Sequence, residues 1–191
     1  FVLKELGKSC SLQRNENETD QEYINRRVER CLEILKNEKR LAEEAGEFIP
    51  DSIKTYPESY LVTNGKDGFP TPYKIQEFVH GKTLRETDVK LIDNETRVIM
   101  DKLVWASVRC FIKTGKVFDI VGCVSGDGTS PMEEILRHLN PMKHSSNVLV
   151  LEKSNLAFID ARVGGGNLLV QLTSFMTLAG YYWNRLINKV R

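Results

Sequence analysis

The chain opens on a short, mostly apolar run, Phe1 to Leu6 (FVLKEL), which predicts a short strand, and a polar stretch from Gly7 to Asn17 predicts a loop. From Glu18 to Ala45, apolar residues return at helical spacing: Tyr23, Ile24, Val28, Cys31, Leu32, Leu35, Leu41, Ala42 and Ala45. Acidic residues gather at its start and Gly46 stands at its end, so a long amphipathic helix is predicted. Ser59 to Thr63 and Tyr73 to Val79 predict two strands. Between them Asn64 to Pro72 (NGKDGFPTP) is dense in turn formers and predicts an elongated hairpin loop. Gly81 marks a break, and Leu84 to Ile92 predicts a short helix. Glu95 to Ile112 predicts a second strong helix whose apolar face carries Val98, Ile99, Leu103, Trp105, Ala106, Val108 and Phe111.

Further on, Val117 to Val121 reads as a strand or turn and Gly122 to Thr129 as a polar loop. Ser130 can cap a short helix from Pro131 to Leu139, because proline is tolerated in a first turn. Asn147 to Leu151 and Leu156 to Asp160 predict a strand hairpin, Gly164 to Gly166 break the chain, and a last apolar helix runs from Asn167 to Lys189. This order predicts an α+β fold. A small sheet-and-helix lobe covers residues 1–80, and a mainly helical lobe with a β-hairpin covers 81–191, with a hinge near position 80.

Composition changes that picture little. Apolar and charged fractions of 41% and 28% are those of an ordinary globular protein, and 191 residues suffice for one domain or two small lobes. A formal net charge of +1 gives no basic field for wrapping nucleic acid. The longest apolar runs are strand-sized, so no membrane insertion is expected, and Lys4, Glu5 and Lys8 interrupt any signal-peptide pattern at the start. The cysteines Cys10, Cys31, Cys110 and Cys123 lie far apart with no CxxC pair, which points to reduced thiols and a cytoplasmic location. The chain begins directly in a strand pattern on Phe1, which suggests sequence upstream.

The sharpest chemical feature is the pair Asn147 and Asp160 in SNVLVLEKSNLAFIDAR, one at each end of the predicted hairpin. An amide oxygen and a carboxylate on one sheet edge suit Mg²⁺, which prefers hard oxygen ligands; polar residues at hairpin ends are also common without any metal. The thirteen-position spacing, with NVLV at the start and FID at the end, resembles the protein-kinase-like superfamily, including its aminoglycoside-phosphotransferase members. The resemblance implies a kinase-like two-lobed fold with ATP between the lobes and Mg²⁺ held by Asn147 and Asp160. Three further segments agree in order. Val2-Leu3-Lys4 resembles the strand whose lysine contacts the α- and β-phosphates. Glu38, in EKRLAEEAGEFIP, matches the helix glutamate that pairs with this lysine, and Glu33 is a substitute about one turn earlier. QEFVHGKTL resembles the hinge, where Glu77 and Val79 would offer backbone groups to the adenine edge and Gln76 would be the gatekeeper.

The sequence also departs from the family pattern. The metal triplet reads Asp160-Ala161-Arg162, no glycine-rich loop precedes Lys4, and little chain follows Asp160. Two alignments compete for the catalytic base. A loop of ordinary length would put Met142 there and remove the base. Phe118-Asp119-Ile120, just after the second long helix, would instead make Asp119 the base and turn 121–146 into an insertion. His144 lies near Asn147 and could touch phosphate or substrate. The expected activity is transfer of a γ-phosphate to the hydroxyl of an unidentified acceptor; the alternatives are an inactive pseudokinase serving as a nucleotide-binding scaffold and an unrelated interaction domain. The wide apolar surface of the last helix offers a place for a protein partner to dock.

Overall fold

A computed structural model describes residues 1–6, 12–88, 92–121, 144–151, 155–161, 163–164, 179–183 and 187. The fold is mixed α+β, and the chain divides into two compact units: Phe1–Leu41 with Tyr56–Val79, and Ala42–Thr55 with His80–Arg191. Among the described residues no helix is long and apolar enough to cross a membrane.

The first unit is built on a three-stranded antiparallel sheet in the order β1 (Val2–Glu5), β4 (Pro70–Gln76), β3 (Glu58–Asn64). The register sets Lys4 opposite Lys74 and Lys74 opposite Tyr60. The β3–β4 turn is shorter than the turn formers predict, closing through a Gly65 N–H to Phe69 carbonyl bond of 2.8 Å, with Gly68 at φ 78°. Pro70 and Pro72 belong to β4, contrary to expectation. The Pro72 carbonyl accepts from Leu6 N–H at 2.9 Å, so this residue's ring nitrogen also faces away from β3 and the β3 ladder loses no donor.

Helix α1 (Asp20–Gly46) starts on a reciprocal cap in which the Thr19 hydroxyl accepts from Glu22 N–H and the Glu22 carboxylate accepts from Thr19 N–H at 2.9 Å. The Thr19 N–H and, at 2.7 Å, the Thr19 hydroxyl both donate to the Glu22 carboxylate and hold that carboxyl below its usual range. Its buried side chains within this unit are Tyr23, Arg27 and Cys31, at the four-residue spacing of one face, whereas Leu32 is exposed. Arg27 is buried because the hairpin satisfies it: it donates to the Pro70 carbonyl at 2.9 Å and to the Asp67 carboxylate at 2.8 Å.

The second unit centres on a four-stranded sheet in the order β2 (Ile53–Lys54), β8 (Leu156–Phe158), β7 (Val148–Val150), β5 (Lys82–Thr83), with β2 parallel to β8 and the other pairs antiparallel. A separate two-stranded ladder joins β6 (Val117–Phe118) to β9 (Val163–Gly164). The helix predicted from Leu84 is a single 3-10 turn, Leu84–Glu86, closed by a Thr83–Glu86 capping box and followed by extended Thr87. Helix α2 (Asn94–Thr114) begins at Asp93, whose carboxylate accepts from Thr96 N–H at 2.7 Å, and ends at Gly115 in the left-handed conformation, φ 71°. Its buried residues are Thr96, Met100, Leu103, Val104, Ala106, Ser107 and Cys110, and Val148, Leu156, Phe158 and Val163 of the strands are buried as well. Val98 and Trp105, predicted for that face, stand exposed. Residues 179–183 are helical, as predicted, and Tyr181 there is buried and donates to Asp101. The predicted helix from Pro131 and most of the last helix lie outside the described residues.

A three-strand corner as the candidate functional site

Residues Asp119, Asn147 and Asp160 come from three chain segments and meet at adjoining strand ends of the second unit. Asp119 follows β6, whose position is fixed twice: Phe118 N–H donates to the buried Ser107 hydroxyl of α2 at 3.1 Å, and Phe118 pairs with Val163 of β9. The Phe118 ring also packs on Phe158 of β8, centroids 5.8 Å apart.

Asn147 immediately precedes β7 and is 9% exposed. Its amide nitrogen donates to the Asp119 main-chain carbonyl at 2.7 Å, across 28 positions of sequence. With that nitrogen engaged, the amide oxygen is the atom left to act as a ligand. Neighbouring contacts repeat the connection. Ser145 donates its hydroxyl to the Ile120 carbonyl, and Ser146 donates to the Val121 carbonyl through both N–H (3.0 Å) and hydroxyl (2.9 Å). Residues 119–121 are thereby stitched to 145–147, bond by bond. Of the two alignments for the base, Asp119 is the position so joined to Asn147; Met142 lies outside the described residues.

Asp160 enters from the other strand of the hairpin. Val148 pairs with Phe158, and the Asn147 carbonyl accepts from Ile159 N–H at 2.8 Å, so the ladder carries through to the residue before Asp160. Asp160 then adopts φ 54°, the one non-glycine residue with positive φ among the described residues. Left-handed backbone at a side-chain-bearing residue costs free energy, and aspartate is among the few types that tolerate it. Such strain persists where surrounding contacts over-determine it, and it concentrates at functional sites.

The donor set fits magnesium in kind: one amide oxygen and one carboxylate, leaving remaining positions to phosphate oxygens and water. Among the described residues no group of three or more His, Cys, Asp or Glu gathers as a metal-binding cluster, so the softer, histidine- or thiolate-rich metal sites have no counterpart there. His144 is half-buried three positions before Asn147.

The residues expected to handle nucleotide lie in the first unit. Lys4 is exposed on β1, and Glu38 is half-buried on α1. Glu33, its substitute, is exposed and paired with Arg30 at 3.0 Å. Gln76 is the last residue of β4, opposite Val2 and Glu58, and the segment beyond it holds exposed Glu77 and half-buried Val79. Sequence reasoning passed over a buried ion pair on this sheet, Lys74 to Glu58 at 2.8 Å, with side chains 3% and 12% exposed. No sequence signal marked it, because only the sheet order makes β4 the central strand, where lysine is rare.

Compared with known proteins, the chain matches no family model, no curated protein and no solved structure.

Proposed function

We propose that this chain is an ATP- and magnesium-dependent phosphotransferase of the protein-kinase-like superfamily, moving a γ-phosphoryl group to the hydroxyl of an acceptor. The observation that carries the reading is the 2.7 Å bond from the Asn147 amide to the Asp119 carbonyl. It makes one unit of the residue expected to accept a proton and a residue expected to hold the metal. The hairpin ladder brings Asp160 alongside.

In this reading Asn147 and Asp160 present oxygen ligands to Mg²⁺, which, when bound, neutralises charge on the phosphates. Asp119 accepts the proton of the incoming hydroxyl, and its main chain is held in place by Asn147 so that little reorganisation is needed at the moment of transfer. Lys4, with Glu38 as its partner, serves the α- and β-phosphates. The main chain at Glu77 and Val79 takes the adenine edge beside Gln76.

The test is Asp160→Asn, which removes the carboxylate while keeping a residue type that accepts left-handed backbone. Wild-type protein at about 100 times Kd of Mg·ATP gains about 2.7 kcal/mol, a rise in Tm of about 5–10 °C. The variant is expected to melt as wild type without ligand and to lose the magnesium-dependent part of that rise. An unchanged rise in the variant removes Asp160 from the metal site. No rise in wild type removes the reading altogether. Stabilisation by ATP without transfer to any hydroxyl or to water selects the inactive, nucleotide-binding scaffold.

A further inference from the structure

Helix α2 has a second face besides the buried one. At about 100° per residue, Val98, Trp105 and Ile112, spaced seven apart, fall within an arc of about 40°. They are 49%, 56% and 77% exposed, although the outward face of a helix is normally polar. Beside this row, on one side only, stand Lys102 and Arg109, also exposed and also seven apart. Neither basic side chain has a carboxylate partner among the described residues. Residues 179–183 border the other side of the row: Tyr181 donates to Asp101, and the Tyr182 ring lies 6.2 Å from that of Trp105. Trp183, next in the chain, is 65% exposed.

The row from Val98 to Ile112 is about 21 Å long, or four helical turns. Its backing is firm, because Met100, Leu103 and Ser107 on the opposite side of the helix are buried. An apolar row repeating every seven residues, with charge along one flank, is complementary to another helix: seam meets seam every second turn, and the facing flank carries the opposite charge. A second copy of this chain fits less well. Two copies meeting antiparallel on this face, related by a two-fold axis, would set Lys102 and Arg109 against their own counterparts. A lipid surface has no flanks, and helices that lie on anionic bilayers carry basic residues broadly across the polar face rather than along one edge.

We propose that the outer face of α2 is a docking surface for an acidic amphipathic helix of a partner protein. The partner's apolar residues meet Val98, Trp105 and Ile112, and carboxylates along one of its flanks meet Lys102 and Arg109. The apolar row supplies the area removed from water, and the two free cations select the sign and the orientation of the partner. The inference is independent of the phosphotransferase reading: it uses none of Asp119, Asn147 or Asp160 and stands whether or not the chain binds nucleotide.

The test titrates the full chain with a synthetic helical peptide of about 18 residues, free of tryptophan, with leucines along one seam and glutamates along one flank. A control peptide carries lysine in place of each glutamate. The chain has two tryptophans, Trp105 on the row and Trp183 in the segment bordering it, so intrinsic fluorescence reads this surface directly. The glutamate peptide is expected to shift the emission to shorter wavelength and to bind about tenfold more tightly than the lysine peptide. Lys102→Glu combined with Arg109→Glu, two exposed substitutions, is expected to reverse that preference. Should the double variant not fold, salt decides: the advantage of the glutamate peptide for wild type must shrink severalfold in about 1 M NaCl. Equal affinity for the two peptides, an advantage that salt leaves untouched, or no binding of the glutamate peptide overturns the proposal. So does a dimer of the chain alone in sedimentation equilibrium that Trp105→Glu dissociates, which assigns the face to a second copy. Binding to phosphatidylserine vesicles without binding to the glutamate peptide assigns it to a lipid surface and overturns the proposal as well.

Discussion

Asn147→Ala probes the bond on which the candidate site is assembled. The substitution removes a donor 2.7 Å from the Asp119 carbonyl in a residue only 9% exposed, so water cannot readily replace it. Loss of the bond and the orphaned carbonyl together are worth about 2 kcal/mol. For a chain of 191 residues this corresponds to a fall in Tm of about 4–8 °C. Asn147→Asp sharpens the test. It is nearly isosteric, but at neutral pH it faces the carbonyl with an anionic oxygen, and the deficit rises to about 3 kcal/mol. The sign of its pH dependence follows. The protonated carboxyl regains a donor, so its folded pKa lies above the unfolded value. The penalty is therefore full above the folded pKa and is relieved as pH falls through it. Urea unfolding followed by circular dichroism between pH 4 and 8, with wild type subtracted at each pH, measures this. An Asn147→Asp deficit that does not vary with pH would refute the assignment of that bond. So would an Asn147→Ala variant within about 0.5 kcal/mol of wild type.

The two caps of α2 give an independent check on the scaffold. Asp93→Ala removes the acceptor for Thr96 N–H, and Gly115→Ala puts a side chain at φ 71° where its Cβ would meet nothing. Each should lower stability by about 1 kcal/mol, and, with the ends about 30 Å apart, the double variant should show the sum in urea midpoints. At alkaline pH, burial raises the pKa of Tyr181 well above that of an exposed phenol. A raised folded pKa contributes stability that is complete below the unfolded value of about 10 and is lost as pH climbs toward the folded one. Tyr181→Phe should therefore be less stable than wild type at pH 8, having lost its contact with Asp101, yet show a shallower decline from pH 9 to 11. Equal alkaline slopes would count against burial as the cause.

The main elements were legible because their hydrophobic periods are long and their caps explicit. Helix α2 spans Asn94–Thr114 against a predicted Glu95 to Ile112, and the β7–β8 hairpin pairs as expected. What escaped was set by tertiary partners. The strands Ile53–Lys54, Lys82–Thr83 and Val163–Gly164 are two residues each and exist only because a neighbouring strand completes them. Trp105 and Val98 read as core by hydrophobicity alone, yet α2 buries Thr96 and Ser107, whose hydroxyl-bearing side chains are small enough for close packing. At the candidate site, residue types and order pointed to Asp119, Asn147 and Asp160. The serine bonds that align the segments, and the left-handed turn at Asp160, depend on geometry that no spacing rule encodes. Lys74 was hidden for a similar reason: a charged residue in a strand reads as solvent-facing until its register with Glu58 and Tyr60 is known.

The stitching of 119–121 to 145–147 has an evolutionary corollary. Because the two ends of the intervening chain are already tied to each other, its length is nearly decoupled from the geometry at Asp119 and Asn147. Doubling it would raise the closure entropy by only about 0.6 kcal/mol. Descendants of this sequence could therefore gain or shed residues there while Asp119 and Asn147 stay where the serines hold them.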